Sequence, residues 1–267
     1  MSGKDHSSAR CYNRAPVHVR DYLDRIHANV EPDSSFQPTL EVLSYLHERH
    51  LCAAPFENLD IHFGVPIVVD QTKILEKIVT RNRGGFCYEL NGAFAWLLTE
   101  LGYDVTLLSA AVARADGGFG IAFDHMALRV DIEGAPWLAD VGFGDSFVHP
   151  IPLIEKASDD YHLDRDGEHW TLLHESTPKY RFTLTPRRLA DFEEACHYQQ
   201  TSPESTFTQR VVTTRLTPEG RVTLTRERLI LHGPLDGGGR VETKIDHDAE
   251  WRRALEEHFD IVLENVS

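Results

Sequence analysis

The first candidate for chemistry is Cys87, in the segment RNRGGFCYELNGAF that runs from Arg81 to Phe94. The apolar spacing after the cysteine predicts a helix that begins at or just after Cys87. A thiol at a helix N-terminus faces unpaired N–H groups and the positive end of the helix dipole, which stabilise the thiolate and lower the thiol pKa. The preceding Gly84 and Gly85 allow a sharp turn and leave room for a substrate close to the main chain. The alternative is a small buried apolar residue, as most free cysteines are.

A base and an orienting group for a thiol nucleophile stand further along the chain. His125 opens the alternating strand Met126–Val130, and Asp140 closes the apolar strand Trp137–Val141. A symmetric hairpin does not place the two residues directly opposite each other, so their contact requires a diagonal pair or a bulge. A carboxylate in so apolar a strand is costly to bury without a partner, and His125 is the obvious one. Either residue alone would be a loop histidine or a capping aspartate, but the order Cys, His, Asp predicts a catalytic triad.

The elements that must position these residues change character near Tyr103. Before it, apolar residues recur at helical spacing and predict a helical unit. The predicted helices are VRDYLDRIHANV, TLEVLSYLHERHLCAAP with Thr39 as N-cap, QTKILEKIVTRNRGG, and the segment from Cys87 to Gly102. After it, short segments rich in Val, Leu, Thr and aromatic residues predict an antiparallel barrel or sandwich. The predicted strands are DVTLLSAAVARA, HMALRVDI, PWLADVGF, HWTLLHES and YRFTLTP.

The chain from Leu189 onward mixes both patterns. The segment LADFEEACHYQQTSPES predicts one helix and a loop, and FTQRVVTTRLT and RVTLTRERLILHG predict two strands around the turn Pro218–Gly220. A third piece, PLDGGGRVETKI, contains DGGGR (Asp236–Arg240), which we interpret as a plain turn. The final helix, DAEWRRALEEHF, has Asp248 as its N-cap candidate and ends near Asp260.

Charge and hydropathy exclude several classes of partner. The chain carries 27 basic and 42 acidic residues, a net charge of −15, and its average field would repel DNA or RNA. No apolar run reaches membrane-spanning length, which predicts no membrane partner. The N-terminal segment MSGKDHSSARCYNRAP is polar and lacks the apolar core of a secretion signal. These features predict a cytoplasmic protein.

The cysteines and histidines predict no metal site. The four cysteines lie far apart without a C-x-x-C pair, which fits neither a zinc framework nor a disulfide scaffold. The fifteen histidines are scattered. The segment HERH, His47–His50, lacks the i, i+4 spacing of a metalloprotease helix, and we interpret its histidines as polar surface residues.

Five segments together resemble the motifs of the arylamine N-acetyltransferase family: PFENLDIHFG, RNRGGFCYELNGAFAWLL, FDHMALRV, WLADVGFGDSF and YQQTSPESTF. The resemblance runs from about Asp21 to Val222 and keeps the family's spacing between motifs. It implies an α+β fold with a cysteine-protease-like core of a helical domain, 1–102, and an antiparallel β-barrel, 103–205, followed by a C-terminal α/β lid, 206–267. It also implies the catalytic triad Cys87, His125 and Asp140.

The activity that the resemblance implies is transfer of an acetyl group from acetyl-CoA to arylamines, arylhydrazines or N-hydroxyarylamines, without a metal. The implied mechanism is a double displacement through acetyl-Cys87. The motifs place Phe56, Phe143 and Phe207 along an aryl cleft, and Val112 follows from the strand after the nucleophile helix. Packing in the core is the alternative role of the phenylalanines. We expect a monomer or a weak homo-oligomer that binds acetyl-CoA and a small aromatic amine or hydrazine.

Two further features accompany this hypothesis. We expect Arg83 and Glu57 to pair and support the Cys87 loop, the alternative being a surface ion pair worth about 0–1 kcal/mol. The glycine-containing loop Ala113–Phe123 could admit the pantetheine arm or the pyrophosphate of CoA, although its GGFG sequence is a weak signal. The triad order alone leaves three alternatives open: an amide synthase that releases a polyketide chain, a thiol peptidase or thioesterase, and a binding module with a structural triad.

Overall fold

The structure is a computed structural model that describes residues 16–33, 35–154, 160–233 and 238–263. The polar N-terminal segment with Cys11, and Asp236 of the glycine-rich turn, lie outside the described residues. Within the described parts of the chain, no helix is long and apolar enough to cross a membrane.

Eight α-helices occur in the described residues, and local caps fix several of their starts. They are α1 (Val19–Arg25), α2 (Leu40–Ala53), α3 (Leu59–His62), α4 (Gln71–Leu75), α5 (Cys87–Glu100), α6 (Glu193–Thr201), α7 (Thr206–Gln209) and α8 (Asp248–Phe259). The Thr39 side chain accepts from the Val42 amide at 3.3 Å, which confirms the predicted N-cap of α2. Helix α4 continues as a π-helical turn over Glu76–Thr80, and a 3₁₀ turn over Leu189–Phe192 leads into α6.

Twelve strands form two antiparallel sheets in the described residues. They are β1 (Phe56–Glu57), β2 (Asp104–Val112), β3 (His125–Ile132), β4 (Ala135–Ala139), β5 (Ile151–Pro152), β6 (Tyr161–Asp166), β7 (His169–His174), β8 (Thr177–Thr183), β9 (Val212–Thr217), β10 (Gly220–Thr225), β11 (Arg228–His232) and β12 (Arg240–Lys244). One sheet has the order β5-β4-β3-β2-β8-β7-β6 and the other β1-β9-β10-β11-β12. The predicted α+β class with an antiparallel barrel-like sheet is confirmed.

The hairpin β3–β4 sets the geometry of the site. Its two-residue turn is Glu133–Gly134, and both residues have positive φ, 51° and 82°. Such a turn matches the right-handed twist of the flanking strands and fixes their register. Leu128 pairs with Ala139, the last pair of the hairpin. In the same register Asp140 would lie opposite Ala127, two residues from His125, so Asp140 and His125 are diagonal neighbours. The predicted diagonal contact therefore follows from the length of this turn.

The helical and sheet parts share apolar cores. Leu90 and Phe94 of α5 pack with Leu128 and Val130 of β3, so helix α5 lies directly on the seven-stranded sheet. A separate cluster around Trp251 joins α8 to the five-stranded sheet. Burial of these side chains on shared faces is what fixes α5 relative to β3. The division at residues 102 and 205 stays a prediction.

Several predicted boundaries were wrong. Strand β4 ends at Ala139, so Asp140 follows the strand rather than closing it within Trp137–Val141. The segment RVTLTRERLILHG forms two strands, β10 and β11, because a turn interrupts it after Thr225. FTQRVVTTRLT begins with the short helix α7. The N-cap of α8 is His247, and Asp248 is the first helical residue.

Candidate active site

Cys87 is the first residue of α5, as the apolar spacing predicts. The Glu89 side chain accepts from the Phe86 amide at 3.2 Å, which closes the start of the helix. The thiol is 3% exposed. Burial raises the pKa of Cys87 well above its usual value, although a backbone hydrogen bond from Met126 acts in the opposite direction. The predicted lowering of this pKa by the helix N-terminus was therefore wrong for the resting protein.

The paired glycines serve close packing rather than room for a substrate. A Cβ at Gly84 would lie 1.9 Å from the Pro55 carbonyl oxygen, and one at Gly85 would lie 2.6 Å from Glu89 Oε2. The space beside the main chain is thus filled by the protein itself. Only residues without a side chain allow the segment before Cys87 to lie against Pro55 and Glu89.

His125 and Asp140 are in contact below the cavity. His125 Nε2 lies 2.7 Å from Asp140 Oδ2, and both side chains are buried. Burial raises the pKa of Asp140, but His125 and further hydrogen bonds hold the pKa of this carboxyl below its usual value. An ionised carboxylate only accepts hydrogen bonds, so Nε2 carries a proton. In the neutral ring, Nδ1 is then the basic nitrogen.

Asn91 and Gly142 hold the other oxygen of Asp140. Asn91 Nδ2 donates to Asp140 Oδ1 at 2.8 Å, and the Gly142 amide donates to the same atom at 2.9 Å. Asn91 also donates to the Met126 carbonyl at 2.6 Å and accepts from the Val141 amide at 3.0 Å. Asn91 was not predicted from the sequence, although its position four residues after Cys87 places it on the same face of α5.

His47 is buried behind Asp140, so its interpretation as a polar surface residue was wrong. Its Nε2 accepts from the Asp140 amide at 3.0 Å, and Nδ1 lies 2.7 Å from the Val148 carbonyl. Burial lowers the pKa of His47 to about 4, so the ring is neutral and Nδ1–H donates to Val148. His50 is also fully buried, and its Nδ1 lies 3.1 Å from the Tyr22 hydroxyl oxygen. We call His47, Asn91, His125, Asp140 and Gly142 the Asp140 site.

Gly142 also brings the loop after β4 onto the nucleophile. A Cβ at Gly142 would lie 2.8 Å from the Cys87 Cα and 2.6 Å from Asn91 Nδ2. A larger residue would push the loop, and Phe143 with it, away from the start of α5. The ring of Phe143 packs edge-on against the His125 ring with 5.3 Å between centroids.

A cavity of about 550 Å³ opens above these residues. It is lined by Cys87 and His125 and by all four residues that the resemblance placed along an aryl cleft, Phe56, Val112, Phe143 and Phe207. Asp140 lies behind His125, outside the lining. The Phe56 and Phe207 rings are 6.0 Å apart, and Phe207 also meets Phe86 edge-on. The lining therefore combines apolar and aromatic side chains, a suitable setting for a flat, neutral ring, with polar ones that include Arg114, Asp124, Gln199 and Glu204.

Contacts from the C-terminal sheet fix one side of this cavity. Arg221 of β10 donates through Nη1 to the Gly144 carbonyl, and its Nε lies 3.4 Å from Asp145 Oδ1. Gly144 has φ of +86°, and a Cβ there would lie 3.3 Å from Phe56 Cγ. Only glycine fits this left-handed position against the ring. The loop that carries Phe143 is thereby held between β10 and the Phe56 ring.

A buried group of charges lies on the other side of the α5 N-terminus. Arg83 Nη2 lies 2.7 Å from Glu57 Oε1 and 3.0 Å from Asp60 Oδ1, so the expected Arg83–Glu57 pair is present and buried rather than on the surface. Lys77, which sequence reasoning missed, lies 2.7 Å from Glu89 Oε1 and 2.8 Å from Asp60 Oδ2. The carboxylates raise the pKa of Lys77 although burial opposes them. We call these five residues the ion-pair cluster.

Within the described residues, no three side chains of the His, Cys, Asp or Glu type converge as metal ligands. The cavity beside Cys87 instead contains the pieces of an acyl-transfer site: a thiol, a base oriented by a carboxylate, and an apolar wall.

Comparisons with known proteins agree with this geometry. A protein-family model described as N-acetyltransferase matches residues 39–267. The chain is 33% identical over 261 residues to the arylamine N-acetyltransferase of Mycolicibacterium smegmatis, covering 92% of each protein. Its fold is similar to the arylamine N-acetyltransferase of Salmonella typhimurium, with a TM-score of 0.85, 29% identity and 93% of each chain covered. It is also similar to Mycobacterium marinum arylamine N-acetyltransferase in complex with CoA, with a TM-score of 0.81 and 30% identity, covering 91% of this chain and 93% of that one.

Proposed function

The chain belongs to the arylamine N-acetyltransferase family, and we propose that it transfers an acetyl group from acetyl-CoA to arylamines, arylhydrazines or N-hydroxyarylamines through an acetyl-Cys87 intermediate. In this proposal Cys87 is the nucleophile, His125 the general base and acid, and Asp140 the residue that orients the His125 ring. The main support for the proposal is the contact of His125 Nε2 with Asp140, because His125 lines the same cavity as Cys87.

The nucleophile is generated by proton transfer within the site. Burial favours the neutral thiol, so a free thiolate is not the resting species. The proton of Cys87 passes to Nδ1 of His125 as the sulfur approaches the acyl carbon, and Asp140 stabilises the imidazolium through Nε2–H. The same burial that raises the thiol pKa makes the resulting thiolate poorly solvated and reactive.

In the first half-reaction, Cys87 Sγ forms a bond to the carbonyl carbon of acetyl-CoA and the bond from that carbon to the CoA sulfur breaks. The imidazolium of His125 gives its proton to the leaving CoA sulfur, which departs as the free thiol. The support for CoA as the donor is the CoA complex of the Mycobacterium marinum relative. In this chain the loop Ala113–Phe123 contributes Gly120 and Ile121 to the cavity lining and is available to the arm of the donor.

In the second half-reaction, the amine nitrogen attacks the carbonyl carbon of acetyl-Cys87 and the bond to Sγ breaks. His125 takes the proton that the amine loses and returns it to the sulfur, which restores the resting thiol. Arylamines are weak bases and are neutral near pH 7. The aromatic wall formed by Phe56, Phe143 and Phe207 accepts such a ring without the desolvation that a protonated aliphatic amine would require.

Mass spectrometry of the whole protein tests the intermediate. After acetyl-CoA is added without amine, we expect one acetyl adduct on the proteolytic peptide that contains Cys87, and release of one equivalent of free CoA. Adding an aromatic hydrazine should remove the adduct and give turnover. Cys87→Ala should abolish the adduct, whereas Cys52→Ala, at a half-buried free thiol outside the cavity lining, should retain it.

Two results would contradict the proposal. CoA release that does not depend on amine would indicate a thiol hydrolase. The absence of any adduct with acetyl-CoA would exclude this donor, as expected for an amide synthase that takes a carrier-bound acyl chain.

A further inference from the structure

Two carboxylates, the exposed Glu204 and Asp124, lie in the lining of the cavity that contains Cys87 and His125. Asp124 directly precedes His125 and lines the cavity, where its side chain is half-buried. The mechanism above gives it no task, because Asp140 alone contacts the His125 ring through Nε2. The lining also includes the exposed Arg114 and Glu204 and the buried Gln199, and a half-buried carboxylate beside the aromatic rings requires partners of its own.

The partners of Asp124 satisfy only part of its hydrogen-bonding capacity. Gln199 Nε2 donates to Oδ1, and the Val112 amide lies 3.4 Å from Oδ2. A carboxylate accepts about four hydrogen bonds. Among the residues that the structure describes, no basic side chain lies within 4.0 Å of Asp124, although His125 and the exposed Arg114, which line the same cavity, act on its charge from a greater distance.

The hydrogen bond from Gln199 fixes Asp124 in place. Ser205 Oγ lies 2.6 Å from Gln199 Oε1, so the amide oxygen faces the hydroxyl and Nε2 faces the carboxylate. Gln199 and Ser205 are both buried. Ser205 also accepts from the Phe207 amide at 3.2 Å, which ties the carboxylate to the aromatic wall. Asp124 is thus held at a defined position relative to the ring-binding residues.

The position of Asp124 disfavours ionisation of the Cys87 thiol. Burial raises the pKa of Asp124, so its charge is incompletely compensated in the absence of a ligand. Its charge also adds to the effects that raise the pKa of Cys87. A group that opposes ionisation of the nucleophile yet faces the substrate space is best explained by a contact that it makes with the substrate.

We propose that Asp124 binds a positively charged or N–H-donating substituent on the acceptor ring, so that this enzyme selects cationic arylamines over anionic ones. The inference rests on the proposed function and adds a substrate class to it. The aromatic wall would hold the ring, the free amine would face acetyl-Cys87, and the substituent would reach the open lone pairs of Asp124. A ring with a carboxylate in the same place would meet Asp124 with like charge and be disfavoured.

Three para-substituted anilines of similar size provide the test: (4-aminobenzyl)trimethylammonium, its uncharged analogue 4-neopentylaniline, and 4-aminophenylacetate. For each, kcat/KM is measured with saturating acetyl-CoA. In the unmodified enzyme we expect the cation to exceed the neutral analogue by about tenfold, because its quaternary ammonium has no N–H and gains only the charge attraction of Asp124, and the anion to fall below both. In Asp124→Asn, the three kcat/KM values should converge, because the charge that separates them is removed.

Asp116→Asn is the matched control, because it removes the same charge from the same loop outside the cavity lining. It should leave the preference intact. Equal preference in the unmodified enzyme, or a preference lost equally in both variants, would overturn the proposal and assign any selectivity to the overall negative charge. Should Asp124→Asn fail to fold, Asp124→Ser, which is smaller and also uncharged, must make the kcat/KM values of the cation and the neutral analogue converge. Failure of the proposed function would look different, since none of the anilines would then remove an acetyl adduct from Cys87.

Discussion

The first turn of α5 lies between two buried polar groups, one built from ion pairs and one built around a single carboxylate. On one side, the ion-pair cluster joins two basic and three acidic side chains in direct contact with one another. On the other, the Asp140 site contains one carboxylate, Asp140, with two imidazoles and neutral amides around it. The first group can hold a backbone in place but has no proton to move. The second holds a ring whose free nitrogen can accept one.

The difference teaches how a buried nucleophile is made. Fixed ion pairs anchor Glu57 and Glu89 beside the glycines that precede Cys87, and so determine where the sulfur lies. A single carboxylate, satisfied by three donors, determines which nitrogen of His125 is basic. Positioning and proton transfer are thus assigned to separate residues on opposite sides of one helix end.

The largest effect is expected from Asp140→Asn. The change keeps the shape of the side chain but removes the charge that stabilises imidazolium, and the amide can present N–H to His125 and reverse its tautomer. We expect the rate of acetyl-Cys87 formation to fall by about 10³–10⁴-fold, measured in single-turnover experiments with acetyl-CoA. Asp131→Asn, which removes an acid from neighbouring β3, should react at the normal rate. A normal rate in Asp140→Asn would remove the distinction between the two groups.

Lys77→Met tests the opposite side. It removes the cation that pairs with Glu89 and Asp60. Asp60 keeps its pair with Arg83, whereas the buried Glu89 loses the ion pair that the structure shows for it. The expected loss of unfolding free energy is about 3–5 kcal/mol, measured by denaturant titration. Lys73→Met, an exposed lysine of α4, is the control and should change stability little. Below its unfolding temperature, Lys77→Met should keep the pH profile of the unmodified enzyme, because the cluster moves no proton.

The pH dependence of stability also distinguishes the Asp140 site, which contains His47, from the ion-pair cluster. His47 has a pKa of about 4 when folded, below its ordinary value of 6.5, so the unfolded chain binds more protons between these values. Stability therefore falls as pH drops from 6.5 to 4, by at most about 3 kcal/mol from this residue. His47→Gln, which can retain one donor and one acceptor, should reduce the fall in melting temperature over that range. His169→Gln, at an exposed position, should not; a full fall in His47→Gln would contradict the neutral buried ring.

The smallest effect is expected where the same kind of ion pair is exposed. Arg188 and Asp191 are 2.8 Å apart, and the Arg188 side chain is 85% exposed. Solvent screening weakens such a pair, so Arg188→Ala should leave the melting temperature and the activity unchanged. A clear loss of stability there would show that burial is not what distinguishes the ion-pair cluster.

Sequence reasoning succeeded where the signal was local. The apolar spacing after Cys87 located the start of α5, and the hairpin between His125 and Asp140 predicted their diagonal contact because a short turn fixes register. It failed where partners are distant in sequence. His47 contacts a residue 93 positions away, and nothing in the sequence HERH indicates that contact.

Other features carried no periodic pattern at all. In the sequence, Lys77 cannot be told from an exposed lysine of an amphipathic helix. It is buried because the fold brings three carboxylates around it. The two-residue strand β1 is too short to show alternation. The pKa of Cys87 was misjudged because the sequence places the thiol at a helix end but gives no measure of how deeply that end is buried.

The pairing of β1 has a consequence for the order in which the enzyme is made. Phe56 bridges to Gly85 in the segment before the nucleophile and to Thr214 in β9, so one wall of the cavity draws on three distant parts of the polypeptide. During synthesis, the ribosome delivers the first two parts long before the third. The catalytic pocket of a nascent chain therefore stays unfinished until the last strands emerge, and such long-range closure slows folding relative to locally connected helices.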